Sequence, residues 1–298
     1  MGDPKQRAGD LSTITVAVFM MLAANVLFSM TDTSTKWLLA GGYAALQLAF
    51  LRYAVQFAIT SVDVARRGPQ RLRLPAKVWA VLFLRASLLV GSTIVNFVAL
   101  KFLSLTMTSA IMFSSPIFVC LLSGPLLGEQ VGAKRWAFVG LGFVGVLVVI
   151  RPFGQDIEWA AVMMLLPAIG LALYSILTRK LAKDVDAATM QFALGLLGTL
   201  VLAPLAMTVW IAPSRPLDWV FMGAIGVCAW AGHELLIRAH KRAEASFLMP
   251  FSYSYLVFMA LASVLVFHDV PDFATLLGAV LITASGILIW HHSRSAKA

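Results

Sequence analysis

The chain has 298 residues, of which 60% are hydrophobic and only 12% are charged, and its formal net charge is +9. Water-soluble domains carry about 25% charged residues and rarely expose apolar patches larger than roughly a few hundred Å², so this composition excludes an ordinary soluble protein. The positive charges form short clusters between long apolar runs. This placement favours membrane topology over nucleic-acid binding as the reason for the charge.

Apolar runs long enough to cross a bilayer recur along the whole chain. A transmembrane helix needs about 20 mostly apolar residues. The sequence therefore predicts an all-α membrane protein with ten transmembrane helices, at 14–39, 44–62, 78–100, 103–122, 136–150, 159–177, 189–210, 217–239, 247–267 and 273–290. Spanning strands are excluded, because barrel strands alternate polar and apolar residues and these runs do not.

Lysine and arginine are distributed unevenly between the runs, which predicts the orientation of the chain. With alternating helices, 17 of the 23 Lys and Arg residues fall on the side of both termini and four fall on the opposite side. Cytoplasmic loops carry the excess of positive charge. We therefore expect an inner-membrane protein with its tails, 1–13 and 291–298, in the cytoplasm. We expect no cleaved signal peptide, because no small-residue cleavage site follows the short polar start.

The two halves of the chain resemble each other. The triplet Met-Met-Leu occurs at 20–22 and again at 163–165, and Gln47 in the second run corresponds to Gln191 in the seventh. We predict a first repeat at 14–150, a periplasmic linker at 151–158 and a second repeat at 159–290. Five helices per repeat is an odd number, so the repeats should have opposite orientations. Transporters with inverted repeats bind substrate near the midplane, at the repeat interface.

Short motifs occur at corresponding places in the two halves. They are 96–104 (NFVALKFLS), 114–116 (SSP) and 126–129 (LLGE) in the first half, and 232–236 (GHELL), 250–253 (PFSY) and 269–272 (DVPD) in the second. In these motifs, the region from 14 to 290 resembles the EamA family of the drug/metabolite transporter superfamily. The resemblance implies ten helices around a central cavity, lined mainly by the first, third, fourth, sixth, eighth and ninth. Members of that family export amino acids or carry riboflavin, S-adenosylmethionine and other metabolites.

Charged residues inside the predicted spans are the first candidates for function, because charges in a membrane are rare and costly. Asp32 in the first run and Arg52 in the second lie at similar depths from the same face, so they could form a pair. Asp32 could instead pair with Lys36, one helical turn away. We expect either a gate or proton site here, or a structural ion pair that fixes two helices.

A second pair of charges is expected nearer the cytoplasmic face. Arg85 in the third run and Glu234 in the eighth lie on helices that correspond between the repeats, and the family fold places both helices at the cavity. The alternative is that Glu234 pairs with Arg238, four residues on, while Arg85 extends to the lipid headgroups.

Uncharged polar and aromatic residues complete the predicted substrate cavity. A site for an amphipathic metabolite needs apolar walls and a few polar groups that fix its orientation. The candidates are Asn25, Ser29, Asn96, Ser114, Tyr174, Trp230, His233, Ser252, Tyr253 and Tyr255. The alternative is that these side chains hydrogen-bond between helices and never meet the substrate, as serine and threonine commonly do in membranes.

The pattern as a whole predicts secondary transport without a cofactor. The sequence contains no nucleotide-binding loop, metal cluster or nucleophile motif, so we expect no catalytic or metal-binding residues. We expect alternating access with amino-acid export as the favoured activity, and uptake of a cofactor-like molecule such as riboflavin or S-adenosylmethionine as the alternative. An intramembrane enzyme and a membrane receptor or scaffold are the rivals of other classes. The expected partners are a small-molecule substrate, the lipid bilayer and a proton or counter-solute, in a monomer or homodimer that binds no nucleic acid.

Overall fold

A computed structural model of the chain describes residues 4–127, 133–150, 159–181, 184–242, 251 and 254–295. Throughout these ranges the regular structure is helical, without strands. The helices are α1 (Pro4–Ala40), α2 (Ala45–Arg67), α3 (Ala76–Ala99), α4 (Leu105–Met112), α5 (Ser115–Leu127), α6 (Ala133–Ile150), α7 (Trp159–Met163), α8 (Leu165–Leu181), α9 (Ala187–Met207), α10 (Pro216–Arg242), α11 (Ser254–Phe267) and α12 (Phe273–Ser295), with a 3₁₀ turn at Pro69–Leu72.

The helices follow the predicted apolar runs. Among the described residues, six of the runs correspond to helices that are long and apolar enough to cross a membrane: Thr15–Ala40, Ala45–Arg67, Ala76–Ala99, Trp159–Thr178, Ala187–Met207 and Pro216–Ala239. Four correspond to shorter apolar helices, at Leu105–Val119, Trp136–Val149, Ser254–Phe267 and Phe273–Ser285. The all-helical class is confirmed, and crossing by all ten stays a prediction.

Two of the predicted runs are interrupted where each was expected to be one helix. Between α4 and α5 the backbone tightens, because Phe113 N donates to Ala110 O (3.2 Å) and Ser114 N donates to Ile111 O (2.9 Å). Backbone hydrogen bonds between residues three apart are typical of a 3₁₀ turn. Pro116 follows in the first turn of α5, where its missing N–H does no harm. A similar break at Met164 separates α7 from α8.

Helices of the two halves pair with each other rather than among themselves. The main helix–helix contacts join α1 to α10, α2 to α9, α3 to α8 and α6 to α12. Every one of these pairs takes one helix from the first half of the chain and one from the second. The hydrophobic core, which contains Leu48, Tyr53 and Phe97 among others, is therefore built jointly by both halves.

Helices α6 and α12 approach each other closely at Gly145 and Gly278. A Cβ atom at Gly278 would lie 2.7 Å from the carbonyl oxygen of Gly145, and one at Gly145 would lie 2.9 Å from the carbonyl oxygen of Gly278. Only glycine allows the two backbones to come this near. Small residues at helix interfaces serve the same purpose in membrane proteins generally.

Hydrogen bonds join the two halves at the end of the bundle that contains residues 41–44, called the outer end here after the predicted topology. The Gln47 side chain on α2 donates to Ile211 O (2.8 Å) and accepts from Ile211 N (3.0 Å). Beside it, the Tyr43 hydroxyl donates to Asp218 Oδ2 (2.8 Å), which also contacts Arg215. The hydrogen bond to the Asp218 carboxylate raises the pKa of the Tyr43 phenol.

Candidate functional site

Ionisable side chains lie deep inside the apolar bundle. Asp32 on α1, Arg52 on α2, Arg85 on α3 and His233 on α10 expose only 9%, 8%, 0% and 4% of their surfaces. A buried charge is costly unless it is paired or hydrogen-bonded. The contacts of these four residues therefore define the candidate site.

Asp32 is held by groups from three other helices. Its carboxylate accepts a hydrogen bond from the Tyr255 hydroxyl on α11. The Asn96 side chain on α3 and the Arg52 guanidinium on α2 interact with the same carboxylate. The Arg52 charge thus acts on Asp32 as their similar depths suggested, but in the part of the chain that the structure describes the two side chains form no salt bridge.

Lys36 does not pair with Asp32, although it lies one turn away on the same helix. Its Nζ lies 3.7 Å from Asp269 Oδ2, donates to Leu103 O (3.2 Å) and sits above the Phe267 ring, 5.1 Å from the centroid. The expected Asp32–Lys36 alternative is therefore wrong. Lys36 instead ties α1 to the end of α11 and to the start of α4 at the outer end.

Arg52 also contacts His233 across the interface of the two halves. Arg52 Nη2 lies 3.3 Å from His233 Nε2. A guanidinium can only donate, so Nε2 must accept and the ring hydrogen must be on Nδ1. The ring packs edge-on against Phe28 (4.9 Å between centroids) and Tyr174 (6.1 Å). The Arg52 side chain on α2 thus reaches His233 on α10, one of the predicted cavity residues.

Within the described part of the chain, the hydrogen-bond partners of Arg85 are all neutral, and they come from the second half. Nε donates to Thr178 Oγ1 (2.6 Å), Nη2 donates to the Tyr174 hydroxyl (2.6 Å) and Nη1 donates to Met190 O (3.4 Å). The guanidinium carbon also lies 4.1 Å from the centroid of the Tyr174 ring. Neither expectation for Arg85 holds: it does not pair with Glu234, and it is too deeply buried to reach the headgroups.

Glu234 belongs to a separate group at the edge of the bundle. Its Oε1 accepts from Arg238 Nε (2.8 Å) and its Oε2 accepts from Gln191 Nε2 (2.6 Å). Gln191 in turn accepts from Gln56 on α2 (3.3 Å). The local alternative of a Glu234–Arg238 contact is thus the one that forms. Gln56 was missed by the sequence analysis, although an amide in an apolar run is a usable signal.

The remaining uncharged candidates differ in their surroundings. Asn25 donates to Phe251 O (2.9 Å) and Ser254 Oγ (2.9 Å), so it joins α1 to the start of α11. Ser29 donates to Val26 O within its own helix (2.8 Å), and Ser114 is buried with no hydrogen-bond partner for Oγ among the described residues. Trp230 is partly buried on α10. Ser252 and Tyr253 lie outside the described residues.

Comparison with known proteins identifies the family. The model of the EamA-like transporter family matches residues 15–151 and 158–290, which together cover nearly all of the chain. The chain belongs to the EamA-like transporter family. It is therefore a multi-pass membrane protein whose family carries out transport, and the two matched ranges agree with a two-repeat architecture.

Individual relatives of this EamA-like transporter include both importers and exporters. A riboflavin transporter of Vibrio cholerae is 32% identical over 190 residues, which cover 63% of this chain and 64% of that protein, less than two thirds of either. An S-adenosylmethionine uptake transporter of Rickettsia bellii is 25% identical over 96% of this chain and 97% of that protein. The Pseudopaline exporter CntI of Pseudomonas aeruginosa is 26% identical over 96% of this chain and 99% of that protein.

A solved crystal structure has the same fold. It matches this EamA-like transporter with a TM-score of 0.66 at 21% identity, over 96% of this chain and 99% of that chain. At this level the likeness concerns the arrangement of the helices. The chemistry of the site has to be argued from the side chains of the chain itself.

The buried side chains give this EamA-like transporter a site of mixed charge between its two halves. Asp32 and Tyr255 offer an acceptor and a hydroxyl, Arg52 and His233 offer N–H donors, and helices of both halves contribute. Such a group can hold a small polar solute by charge and hydrogen bonds, with apolar walls around it.

Proposed function

We propose that this EamA-like transporter is a secondary carrier that moves a small amphipathic metabolite by alternating access, with amino acids leaving the cell as the favoured substrates. The observation that carries this proposal is the buried group of Asp32, Arg52 and His233, in which Arg52 contacts His233 and attracts the Asp32 carboxylate electrostatically. An amino acid has one positive and one negative group, and this cluster offers a carboxylate and a guanidinium. The surrounding apolar helices suit an apolar side chain.

The position of the cluster supports a mechanism in which the two halves move against each other. Asp32, Arg52 and Asn96 come from the first half, whereas His233 and Tyr255 come from the second. A solute bound between them would be released when the halves separate on one side, which is the mode of inverted-repeat carriers. We extend the proposal to ten spans in inverted repeats, an inner-membrane location with both termini in the cytoplasm, and coupling to a proton or a counter-solute in a monomer or homodimer.

Uptake of a cofactor-like molecule such as riboflavin or S-adenosylmethionine is the second candidate. The names of the relatives favour it, since a riboflavin transporter and an S-adenosylmethionine uptake transporter both match. The Pseudopaline exporter CntI matches over a similar length, and this supports export equally. Riboflavin has no zwitterion to match the opposite charges of Asp32 and Arg52, so these charges favour an amino acid or S-adenosylmethionine.

The rival classes have less support. An intramembrane enzyme would need its reactive groups to act together, yet His233 contacts Arg52 whereas its neighbour Glu234 contacts Gln191 and Arg238. A receptor or scaffold has no need for a charged cluster at the interface of two repeats. Both rivals predict no movement of solute by the purified protein.

Transport by the purified protein tests the proposal directly. The protein would be placed in liposomes and supplied with labelled amino acids, riboflavin or S-adenosylmethionine, with and without a pH gradient. We expect saturable transport of at least one amino acid, and its loss in Asp32→Ala. Asp63→Asn, at an exposed ion pair with Arg67 on α2, is the matched control and should transport normally. Transport of riboflavin alone would favour the second candidate, and transport of none would contradict both.

A further inference from the structure

Three polar contacts join one face of α1 to α11. Their residues on α1 are seven and four positions apart, and these spacings place side chains on the same side of a helix. The first half of the chain thus meets the second through polar groups along this line, which is called the polar seam here. In the seam, Asn25 donates to Ser254 Oγ (2.9 Å), Asp32 accepts from the Tyr255 hydroxyl, and Lys36 Nζ lies 3.7 Å from Asp269 Oδ2.

Other interfaces between the halves are packed through glycine. A Cβ atom at Gly195 on α9 would lie 2.9 Å from the Cα atom of Phe57 on α2, and one at Gly278 on α12 would lie 2.7 Å from the Gly145 carbonyl oxygen on α6. Backbones this close leave no space for water, whereas water can replace either partner of a polar contact at modest cost. The polar seam therefore suits reversible separation better than these glycine-packed interfaces do.

The contact of Lys36 with Asp269 lies at the outer end of the seam. The two side chains expose 18% and 40% of their surfaces, so water reaches both. Ion pairs that water reaches are worth little, so they can break and re-form. Lys36 Nζ also donates to Leu103 O (3.2 Å) and lies 5.1 Å from the centroid of the Phe267 ring. One side chain thus joins α1 to the end of α11 and to the segment before α4.

The backbone after α11 holds Asp269 in place for this contact. His268 adopts the left-handed conformation (φ 55°), which non-glycine residues rarely take. The Asp269 N–H then donates to Ser263 O (3.0 Å), and its Oδ2 accepts from Ser263 Oγ (3.4 Å). Residues in such conformations persist where the surrounding structure requires them, often in switch regions. The carboxylate is therefore fixed in position, and the flexible member of the pair is the Lys36 side chain.

We propose that the Lys36–Asp269 pair is the latch of an outer gate, and that the polar seam opens at its outer end when the carrier changes state. This inference rests on the proposed function, because a gate has a role only in a protein that alternates between two states. While the pair is formed, α1 is held against α11. When the pair breaks, Lys36 leaves Asp269, Phe267 and Leu103 together, and water enters the seam toward Ser29.

Access of water to the seam tests the latch without any measurement of transport. Ser29 lies between Asn25 and Asp32 on the same face of α1 and is 6% exposed. Ser29→Cys would be made in a chain in which Cys120 and Cys228 are replaced by alanine. Intact cells would be treated from outside with a charged, membrane-impermeant methanethiosulfonate, and the rate of labelling would be measured.

We expect Lys36→Gln to raise the labelling rate of this cysteine about tenfold, because it removes the charge-assisted contacts that favour the closed seam. Asp269→Asn should raise the rate by less, since Lys36 keeps its bond to the Leu103 carbonyl oxygen. Arg215→Gln is the matched control. It removes a charge at the same end of the bundle, from a local pair with Asp218, and should leave the rate unchanged.

A second cysteine site separates opening of the gate from general loss of structure. Ala49 is fully buried on α2, a helix whose main neighbours are α9 and α10. Ala49→Cys should label as slowly in the presence of Lys36→Gln as in its absence. Equal acceleration at Ala49→Cys and at Ser29→Cys would show that the substitution loosens the whole bundle, and it would overturn the latch.

Linking the two residues of the latch tests its role in transport. Lys36→Cys and Asp269→Cys would be combined in the same cysteine-free chain, joined by a short bifunctional methanethiosulfonate and assayed in liposomes. We expect transport to be lost in the linked protein and to return when a reductant cuts the link. Each single variant, treated with the same reagent, is the control and should keep the rate that it has before treatment.

The outcomes separate this inference from the proposed function. If the linked protein transports as fast as the reduced protein, the latch is wrong and the carrier function stands. Equal labelling of Ser29→Cys with and without Lys36→Gln, or no labelling in either chain, would also overturn the latch. Faster labelling in Lys36→Gln without transport of any solute would support the gate and count against the carrier.

Discussion

Asp32 on α1 is surrounded by side chains from three other helices. Its carboxylate meets Tyr255, Asn96 and Arg52, which lie on three different helices. Removing a buried charge leaves the polar and charged groups around it without compensation. We therefore expect substitutions in the cluster to change stability as well as transport, and the two effects have to be measured separately.

We predict that Asp32→Asn lowers the free energy of unfolding by about 1.5–3 kcal/mol, because the hydrogen bond from Tyr255 loses its charged acceptor and Arg52 loses the opposite charge near it. Arg52→Gln added to it should restore part of the loss, because the stranded charge is removed. Denaturant unfolding of the single and double variants in one detergent measures both. Strictly additive losses would show that the two side chains do not interact.

Tyr174 acts on Arg85 through its hydroxyl and its ring together. Tyr174→Phe keeps the ring beneath the guanidinium and removes only the 2.6 Å hydrogen bond from Nη2. We expect a loss of about 1.5–3 kcal/mol, as for hydrogen bonds to charged groups. Tyr174→Leu, which removes both contacts, should cost more. The same unfolding assay measures both variants, and equal costs would mean that the ring contributes nothing.

At the scale of helices, the sequence predicted where the helices lie better than it predicted which helices contact each other. The apolar runs located α3, α9 and α10 closely, because a helix can be recognised from its own composition, whereas α1 begins at Pro4, ten residues before the predicted start. The breaks at Phe113–Ser114 and at Met164 were missed, since a short 3₁₀ turn hardly changes the apolar pattern. The proline at 116 was a signal for the first of these breaks.

For charged side chains too, the sequence predicted contacts within one helix but not contacts between helices. Glu234 and Arg238 lie four residues apart on one helix, so their contact is local and could be predicted. Arg85 and Glu234 were expected to meet from their depths, but depth does not give the rotation of a helix about its axis. Arg85 faces α8 and α9, whose neutral side chains satisfy it.

The approach of α6 and α12 provides a prediction for helix packing. In Gly145→Ala the new methyl group would lie 2.9 Å from the Gly278 carbonyl oxygen, so the helices must move apart and Tm should fall. Gly140→Ala on the same helix is the matched control, since nothing lies within 4 Å of its Cβ position. There alanine should be neutral or stabilising, by up to about 1 kcal/mol. A Tm that falls equally in both variants would contradict the close contact.

For the whole molecule, topology is the property that most needs a direct measurement. The charge bias predicts that both termini are in the cytoplasm, which requires an even number of crossings. A reporter active only in the periplasm, fused after Lys297, should give no signal, and one active only in the cytoplasm should give a strong one. The reverse result would contradict the ten-span arrangement.

The pairing of helices between the halves has a consequence for how the protein is made. During synthesis α1, α2 and α3 enter the membrane well before α8, α9 and α10, their main partners, have been translated. Until then, Arg52 and Arg85 lack their hydrogen-bond partners from the second half of the chain, while they lie in lipid or at the insertion machinery. Two separately encoded halves should each be degraded when produced alone and should accumulate only when produced together. Biogenesis of this protein is thus completed late, by the arrival of the second half of the chain.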